Sequence, residues 1–255
     1  MNLASFSIAP NDFLFICGPC ALEDDAQMRS ILNMSFSPQF IRGGVYKLRT
    51  SKNSFQGLGQ EGIDMISRLK QERPFHFVTE ITDPRQIDKL LPIVSAFQVG
   101  ARNMYNYELL KELSRYGKPV ILKRAFSATI NEWLGATEYL ADLGEQNIIL
   151  CERGVRSFDQ KLRNMLDLGG VIYLKKNHPF KVLVDPSHAM GIREYVPSAV
   201  LASLAAGADG VLLEAHPTPE TARSDGQQSL HLPTMNELVA KLRELAPHFN
   251  KTLKV

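Results

Sequence analysis

Residues 41–51 read IRGGVYKLRTS and carry three cations, Arg42, Lys47 and Arg49, followed by the hydroxyls of Thr50 and Ser51. Apolar Phe40, Ile41, Val45 and Tyr46 predict a buried strand over residues 40–47, with the glycine pair allowing a bulge or a close backbone approach. In an extended segment Lys47 and Arg49 share a face, because side chains alternate with period two. Two cations on one face running into Thr-Ser make a seat for phosphate or carboxylate. A solvated basic edge strand reads the same way in isolation. The rest of the chain decides between the two.

The unit of an apolar run, charged end and helical pattern recurs from end to end. Strands are predicted over residues 13–17, 40–47, 75–81, 97–99, 120–123, 147–151, 181–184 and 210–214. Helices are predicted over 26–34, 58–70, 84–91, 107–116, 129–143, 159–168, 196–206 and 235–245. The clearest is 129–143, with a Ser/Thr cap region, helical spacing and Gly144 as a stop. Eight strand–helix repeats in 255 residues predict an α/β fold, a single-domain (β/α)8 TIM barrel with no separate regulatory domain. A doubly wound open sheet is the alternative, since periodicity does not report closure.

Composition is that of an ordinary globular protein, 44% hydrophobic and 22% charged. A net charge of +2 gives no support to a nucleic-acid or membrane-surface role. No apolar run approaches a membrane span, and MNLASFSIAPND lacks a basic region followed by an apolar one, so the expected location is cytoplasmic. Three cysteines argue against a disulfide framework.

Reactive side chains gather at the carboxyl ends of the predicted strands, where barrel enzymes build their active sites. Cys20 follows the first strand, Lys47 and Arg49 close the second, and Glu80 closes the third. Arg102 follows the fourth, Lys123 and Arg124 close the fifth, and Glu152 and Arg153 close the sixth. Asp185 and His188 close the seventh, Glu214 and His216 the eighth, and Asp225 lies in the loop beyond. Arg42, Lys47, Arg49, Arg102, Lys123 and Arg153 form a cationic set suited to substrates with more than one anionic group. One or two of the six are expected to be taken up by Glu80, Glu152 or Asp185 in structural ion pairs. Cys20, His188, Glu214 and Asp225 form a mixed S/N/O set suited to one borderline divalent metal ion, Mn, Fe, Zn or Co. Spacing alone does not single out those four, because similar quartets occur in most chains. Cys17-Gly-Pro-Cys20 also has the spacing of a thiol–disulfide redox motif, a rival function class that leaves the cations unexplained.

Longer motifs sharpen the reading. GPCALE, IRGGVYKLRTSKNSFQGLGQEG, VTEITDP, QVGARNM, NIILCERGVRSF, VDPSHAMGIRE and AAGADGVLLEAHP resemble 3-deoxy-D-arabino-heptulosonate 7-phosphate (DAHP) synthases of the short microbial type. These are related to 3-deoxy-manno-octulosonate 8-phosphate synthases. The likeness implies condensation of phosphoenolpyruvate with erythrose 4-phosphate, the first step of the shikimate pathway, in a homodimer or homotetramer. Carried over by motif, it implies metal ligands Cys20, His188, Glu214 and Asp225. Phosphoenolpyruvate would meet Arg42, Lys47, Ala101, Arg102, Lys123 and Arg153, with Asp185 also in the substrate site. The aldose phosphate would meet Lys47, Arg49 and Thr50, and Lys47, Cys20, His188 and Glu80 would serve catalysis.

Two positions depart from the family pattern. Lys47-Leu48-Arg49-Thr50 agrees with the Lys-Pro-Arg-Thr of DAHP synthases except at Leu48, which leaves octulosonate-type aldose specificity as the alternative. Cys17 stands where a small apolar residue is usual, either as a neutral core substitution or as a redox-sensitive site. Only a short leader precedes the first strand. The expectation is therefore insensitivity to phenylalanine and tyrosine unless a partner protein supplies control, which an inhibition assay on the purified chain checks.

Overall fold

Strand residues in this molecule face two apolar layers in strict alternation. The computed structural model describes residues 6–49 and 51–255. In β1 (Asp12–Gly18), Phe13, Phe15 and Cys17 join the large core under the helices, whereas Leu14 and Ile16 point into a smaller one. That smaller core also receives Phe40 of β2 (Phe40–Arg42), Val78 of β3 (His76–Ile81) and Ala96 of β4 (Ala96–Val99). Ile121 of β5 (Val120–Lys123), Ile149 and Cys151 of β6 (Ile148–Glu152), Leu183 of β7 (Lys181–Val184) and Leu212 of β8 (Gly210–Glu214) complete it. It is the inside of a barrel.

The eight strands pair in parallel in sequence order. The ring closes where β8 runs beside β1 from Leu14↔Gly210 to Gly18↔Glu214, and Cys17 of β1 pairs with Ile41 of β2. Because β2 reaches β1 only at Cys17, the lower part of β1 is left for a ninth strand, β9 (Thr252–Lys254), which pairs with Asp12–Leu14. Phe6 packs edge-on against Phe40 and His76, which stack on each other at 5.0 Å and plug the amino-terminal end.

Helices wrap the outside: α1 (Asp25–Leu32), α2 (Gln60–Glu72), α3 (Ile87–Leu90), α4 (Tyr107–Ser114) and α5 (Ile130–Glu138). They continue as α6 (Leu168–Asn177), α7 (Pro186–Met190), α8 (Val196–Ala205) and α9 (Leu232–Leu245). The expected TIM barrel is the observed fold. In α5, Thr129 and Glu132 form a reciprocal capping box, and buried Trp133 donates from Nε1 to the Leu122 carbonyl at 3.2 Å.

Two sequence-based expectations fail where particular hydrogen bonds override the local pattern. The strand predicted over 40–47 ends at Arg42. Gly43 N–H donates to Val78 O and Gly44 N–H to Cys20 O, so the backbone is drawn to two different neighbours and leaves the sheet. Lys47 and Arg49 therefore lie in a loop, where the shared-face argument does not apply. The helix predicted over 159–168 is also a loop. Asp159 accepts from Lys161 N–H in a tight turn, Val155 bridges Met165, and Asp167 instead caps α6 through Gly170 N–H. Gly169 and Gly170 hide α6 from a propensity argument. α7 and β9 are too short for periodicity to find.

A Cβ on Gly18 would stand 2.0 Å from the Arg42 carbonyl oxygen at the seam where β1 meets β2. Gly18→Ala is expected to destabilise the fold by roughly 1–3 kcal/mol, as overpacking does, measured from the denaturant midpoint.

Candidate active site

The alternation that fills the barrel with apolar side chains also places the polar ones. Two residues beyond each inward-facing position of the apolar layer stand Arg42, Glu80, Gln98, Lys123, Arg153, Asp185 and Glu214. Of these, Arg42, Glu80, Gln98, Lys123 and Arg153 line a cavity of about 300 Å³ at the carboxyl ends of the strands, and Asp185 and Glu214 pair with two of them, Lys123 and Arg42. The loops add Lys47, Arg49, Ala101, Arg102, Phe126, Arg163, His188 and Asp225 to its lining. Thr50 lies outside the described residues.

One wall is a cluster of metal-type donors. Ligand atoms of Cys20, His188, Glu214 and Asp225 all lie within 4.8 Å of one another. Asp185 caps α7 by accepting from His188 N–H at 2.9 Å, and its Oδ2 accepts from His188 Nδ1 at 2.7 Å. A carboxylate only accepts, so the imidazole proton sits on Nδ1 and the Nε2 lone pair faces outward. Nε2 meets Glu214 Oε1 at 3.3 Å and Asp225 Oδ2 at 3.9 Å. Cys20 Sγ is 3.0 Å from Asp225 Oδ2 and accepts from the Ser224 hydroxyl. Lone pairs converging on one point call for a cation, and one S, one N and two O donors fit a borderline divalent metal.

Burial lowers the His188 pKa below its ordinary value despite Asp185, so the ring is neutral. Burial, reinforced by Glu214, pushes the Cys20 thiol up to about 12. Burial also acts to raise the Asp185 carboxyl, but His188 and Lys123 beside it hold it well below the carboxylate range.

Much of the remaining lining is cationic. Two of the six predicted cations pair with the carboxylates expected to take them up, Glu80 and Asp185, and a third pairs with Glu214. Arg42, 2% exposed, reaches Glu214 at 2.9 Å; Lys47 reaches Glu80 at 2.9 Å; Lys123 reaches Asp185 at 2.5 Å. The pairing follows from the burial of Glu214, Glu80 and Asp185, because an unpaired carboxylate at such depth costs several kcal/mol, about 3–5 when a partner is removed. Burial acts to raise Glu80, and Lys47 outweighs it, so Glu80 stays ionised at neutral pH. Gly100 leaves room for it, since a Cβ there would stand 2.3 Å from Glu80 Oε1. Arg49, Arg102 and Arg153 form no ion pair among the described residues, and Arg49 Nη2 and Arg153 Nη1 are buried without a partner. These donors are available to an anion.

Adjacent residues separate by strand parity. Arg124 and Glu152 turn outward and pair with each other at 3.0 Å, with Asp167 joining Arg124 at 2.8 Å. Sequence reasoning missed Gln98, Phe126 and Arg163. Inward parity in β4 was the available signal for Gln98. Arg163, which pairs with Asp225 Oδ1 at 3.2 Å, was obscured by the helix predicted across it.

The redox reading of Cys17-Gly-Pro-Cys20 loses its physical basis. A reactive motif needs a lowered thiol pKa, usually at a helix start. Here burial pushes both thiols up to about 12, Cys17 packs in the outer core, and the next helix starts only at Asp25.

The sequence profile of the DAHP synthetase I family matches residues 8–251. The chain belongs to that family. Membership gives its enzyme class, 3-deoxy-7-phosphoheptulonate synthase. The chain is 39% identical over 248 residues to the phospho-2-dehydro-3-deoxyheptonate aldolase of Thermotoga maritima, covering 96% of this chain and 73% of that protein. The crystal structure of that Thermotoga maritima DAHP synthase superposes on the whole chain with a TM-score of 0.93, covering 75% of its own length. A 2-dehydro-3-deoxyphosphooctonate aldolase from Thioalkalivibrio sulfidiphilus is 26% identical over 266 residues, covering 96% of this chain and 94% of that protein. Among the described residues, no helix of the family fold is long and apolar enough to cross a membrane.

Neutral His188 contributes to the pH dependence of the metal-stripped protein, as does His76, whose pKa burial also lowers. Each folded pKa lies below the ordinary 6.5, so the unfolded chain takes up the proton first and stability falls as pH drops below that value. Asp185, held well below 3.8, adds a second loss as pH falls past its ordinary value. Denaturant midpoints measured downward from neutral pH are expected to decline first near 6.5, and His188→Asn to shrink that first segment to the part His76 contributes.

Proposed function

We propose that the chain condenses phosphoenolpyruvate with erythrose 4-phosphate and water, giving 3-deoxy-D-arabino-heptulosonate 7-phosphate and inorganic phosphate, the first step of the shikimate pathway. The observation that carries this reading is the division of one cavity between a metal-type donor cluster and unpaired guanidinium groups. One divalent ion, Mn, Fe, Zn or Co, would be held by Cys20, His188, Glu214 and Asp225, and would supply Lewis-acid polarisation of the aldehyde.

The chain's own residues do the rest. Arg102, Lys123 and Arg153 bind the phosphate of phosphoenolpyruvate, with the Ala101 segment forming the cavity wall beside them. Arg42 and Lys47 lie next to the carboxylate end, and Arg49 and Thr50 receive the phosphate of the aldose. Held in this register, C3 of phosphoenolpyruvate bonds to the aldehyde carbon, water adds at C2, and phosphate leaves by C–O cleavage. Fixed cations around the departing dianion cost no reorganisation as its charge develops. Glu80, kept ionised by Lys47, is suited to hold a proton released from the attacking water.

The test is phosphate release from phosphoenolpyruvate by chelator-stripped protein with Mn²⁺ or Zn²⁺ restored. Turnover is expected with erythrose 4-phosphate and not with arabinose 5-phosphate. The reverse preference would transfer the reading to the octulosonate reaction and make Leu48, exposed at the cavity mouth, the first residue to revert to proline. Lys123→Ala and Arg102→Ala are expected to lower kcat/KM for phosphoenolpyruvate by about tenfold or more, the loss of a charge-assisted hydrogen bond. Cys20 is a thiol at neutral pH, so metal binding displaces its proton. Apparent metal affinity, measured by competition with a chelating dye, is expected to rise by about tenfold per pH unit over neutral pH, and Cys20→Ser to flatten that dependence.

A further inference from the structure

Three arginines crowd one aromatic ring at the cavity edge. The guanidinium carbons of Arg153, Arg156 and Arg102 lie 4.7, 5.3 and 5.5 Å from the centroid of Phe126. Among the described residues, none of the three pairs with a carboxylate, in contrast to Arg124 two residues before the ring. Three like charges held together repel, and some compensation is needed to keep them there. Phe126 is half-buried, and its carbonyl accepts from Arg156 N–H at 2.7 Å, which fixes the ring against that segment.

The kind of compensation matters. A carboxylate would occupy the in-plane N–H donors of the arginines and compete with any incoming anion. An aromatic face attracts a guanidinium through its π-quadrupole without occupying those donors. Among the described residues Arg153 Nη1 is buried and without a partner, a donor left free for an anion. We propose that Phe126 is a positioning residue for anion recognition: its ring holds Arg102 and Arg153 with their donors free for a phosphate-bearing substrate, and Arg156 supplies a third charge beside the ring. That the substrate anion is phosphoenolpyruvate rests on the proposed function; the aromatic positioning of the arginines does not.

The test is calorimetric titration of the full chain with inorganic phosphate, beside steady-state turnover. Phe126→Leu keeps apolar bulk and removes the ring face. It is expected to weaken phosphate binding by about tenfold, and to raise KM for phosphoenolpyruvate similarly with kcat changed much less. Phe126→Tyr, which keeps the face, is expected to rescue both. Thermal melting of each variant separates loss of fold from loss of binding. Wild-type phosphate affinity in Phe126→Leu overturns the inference, as does equal weakening in a folded Phe126→Tyr or no phosphate binding by the wild type. Wild-type protein inactive on phosphoenolpyruvate, with phosphate binding still lost in Phe126→Leu, would overturn the proposed reaction and uphold the role of Phe126.

Discussion

Asp185 is completely buried inside the barrel, and three parts of the candidate site depend on its charge. A carboxylate at that depth is tolerable only with partners. It takes Lys123 from β5, His188 Nδ1 from the next turn, and the His188 backbone N–H at the start of α7. Those bonds select the tautomer that aims Nε2 at Glu214 and Asp225. They also draw Lys123 to the same place, so the cationic and metal-type walls share a common support. Removing the carboxylate would leave both a buried ammonium and an unoriented imidazole.

The same logic runs around the barrel one layer at a time. Near the amino-terminal end, inward positions carry apolar or aromatic side chains that fill the interior and cost nothing to bury. One alternation higher, most inward positions carry charges, and each buried carboxylate there has found a cation: Glu214 with Arg42, Glu80 with Lys47 and Asp185 with Lys123. The cations left over are arginines, whose planar guanidinium can rest on an aromatic face with its donors free. Charge neutralised at the floor and charge in excess at the rim give the cavity its direction.

Much of this was legible in the sequence because strand parity and the βα repeat are local properties. The barrel and the concentration of reactive residues at strand ends could be named from the βα repeat, whereas the quartet Cys20, His188, Glu214 and Asp225 was singled out only through its family motifs. The errors came where backbone hydrogen bonds to distant segments overrode local pattern. Gly43 and Gly44 bond to β3 and to the loop after β1, so the strand through Lys47 ends early. The segment before α6 looks helical by composition, but Asp167 spends its side chain as the cap of the following helix.

The order of residues alone laid down which chemistry is present: it put the reactive side chains at the carboxyl ends of the strands, and its motifs assigned the family. Only the tertiary structure decided which donors meet. The distances among Cys20, His188, Glu214 and Asp225 depend on closing β8 against β1, a contact between segments about 200 residues apart. The pairing of Arg124 with Glu152 rather than with a substrate, and the gathering of Arg102, Arg153 and Arg156 on Phe126, were likewise decided there. Such choices follow from depth and neighbouring charge, and the cost of an unpaired charge exists only once the barrel has excluded water from around it.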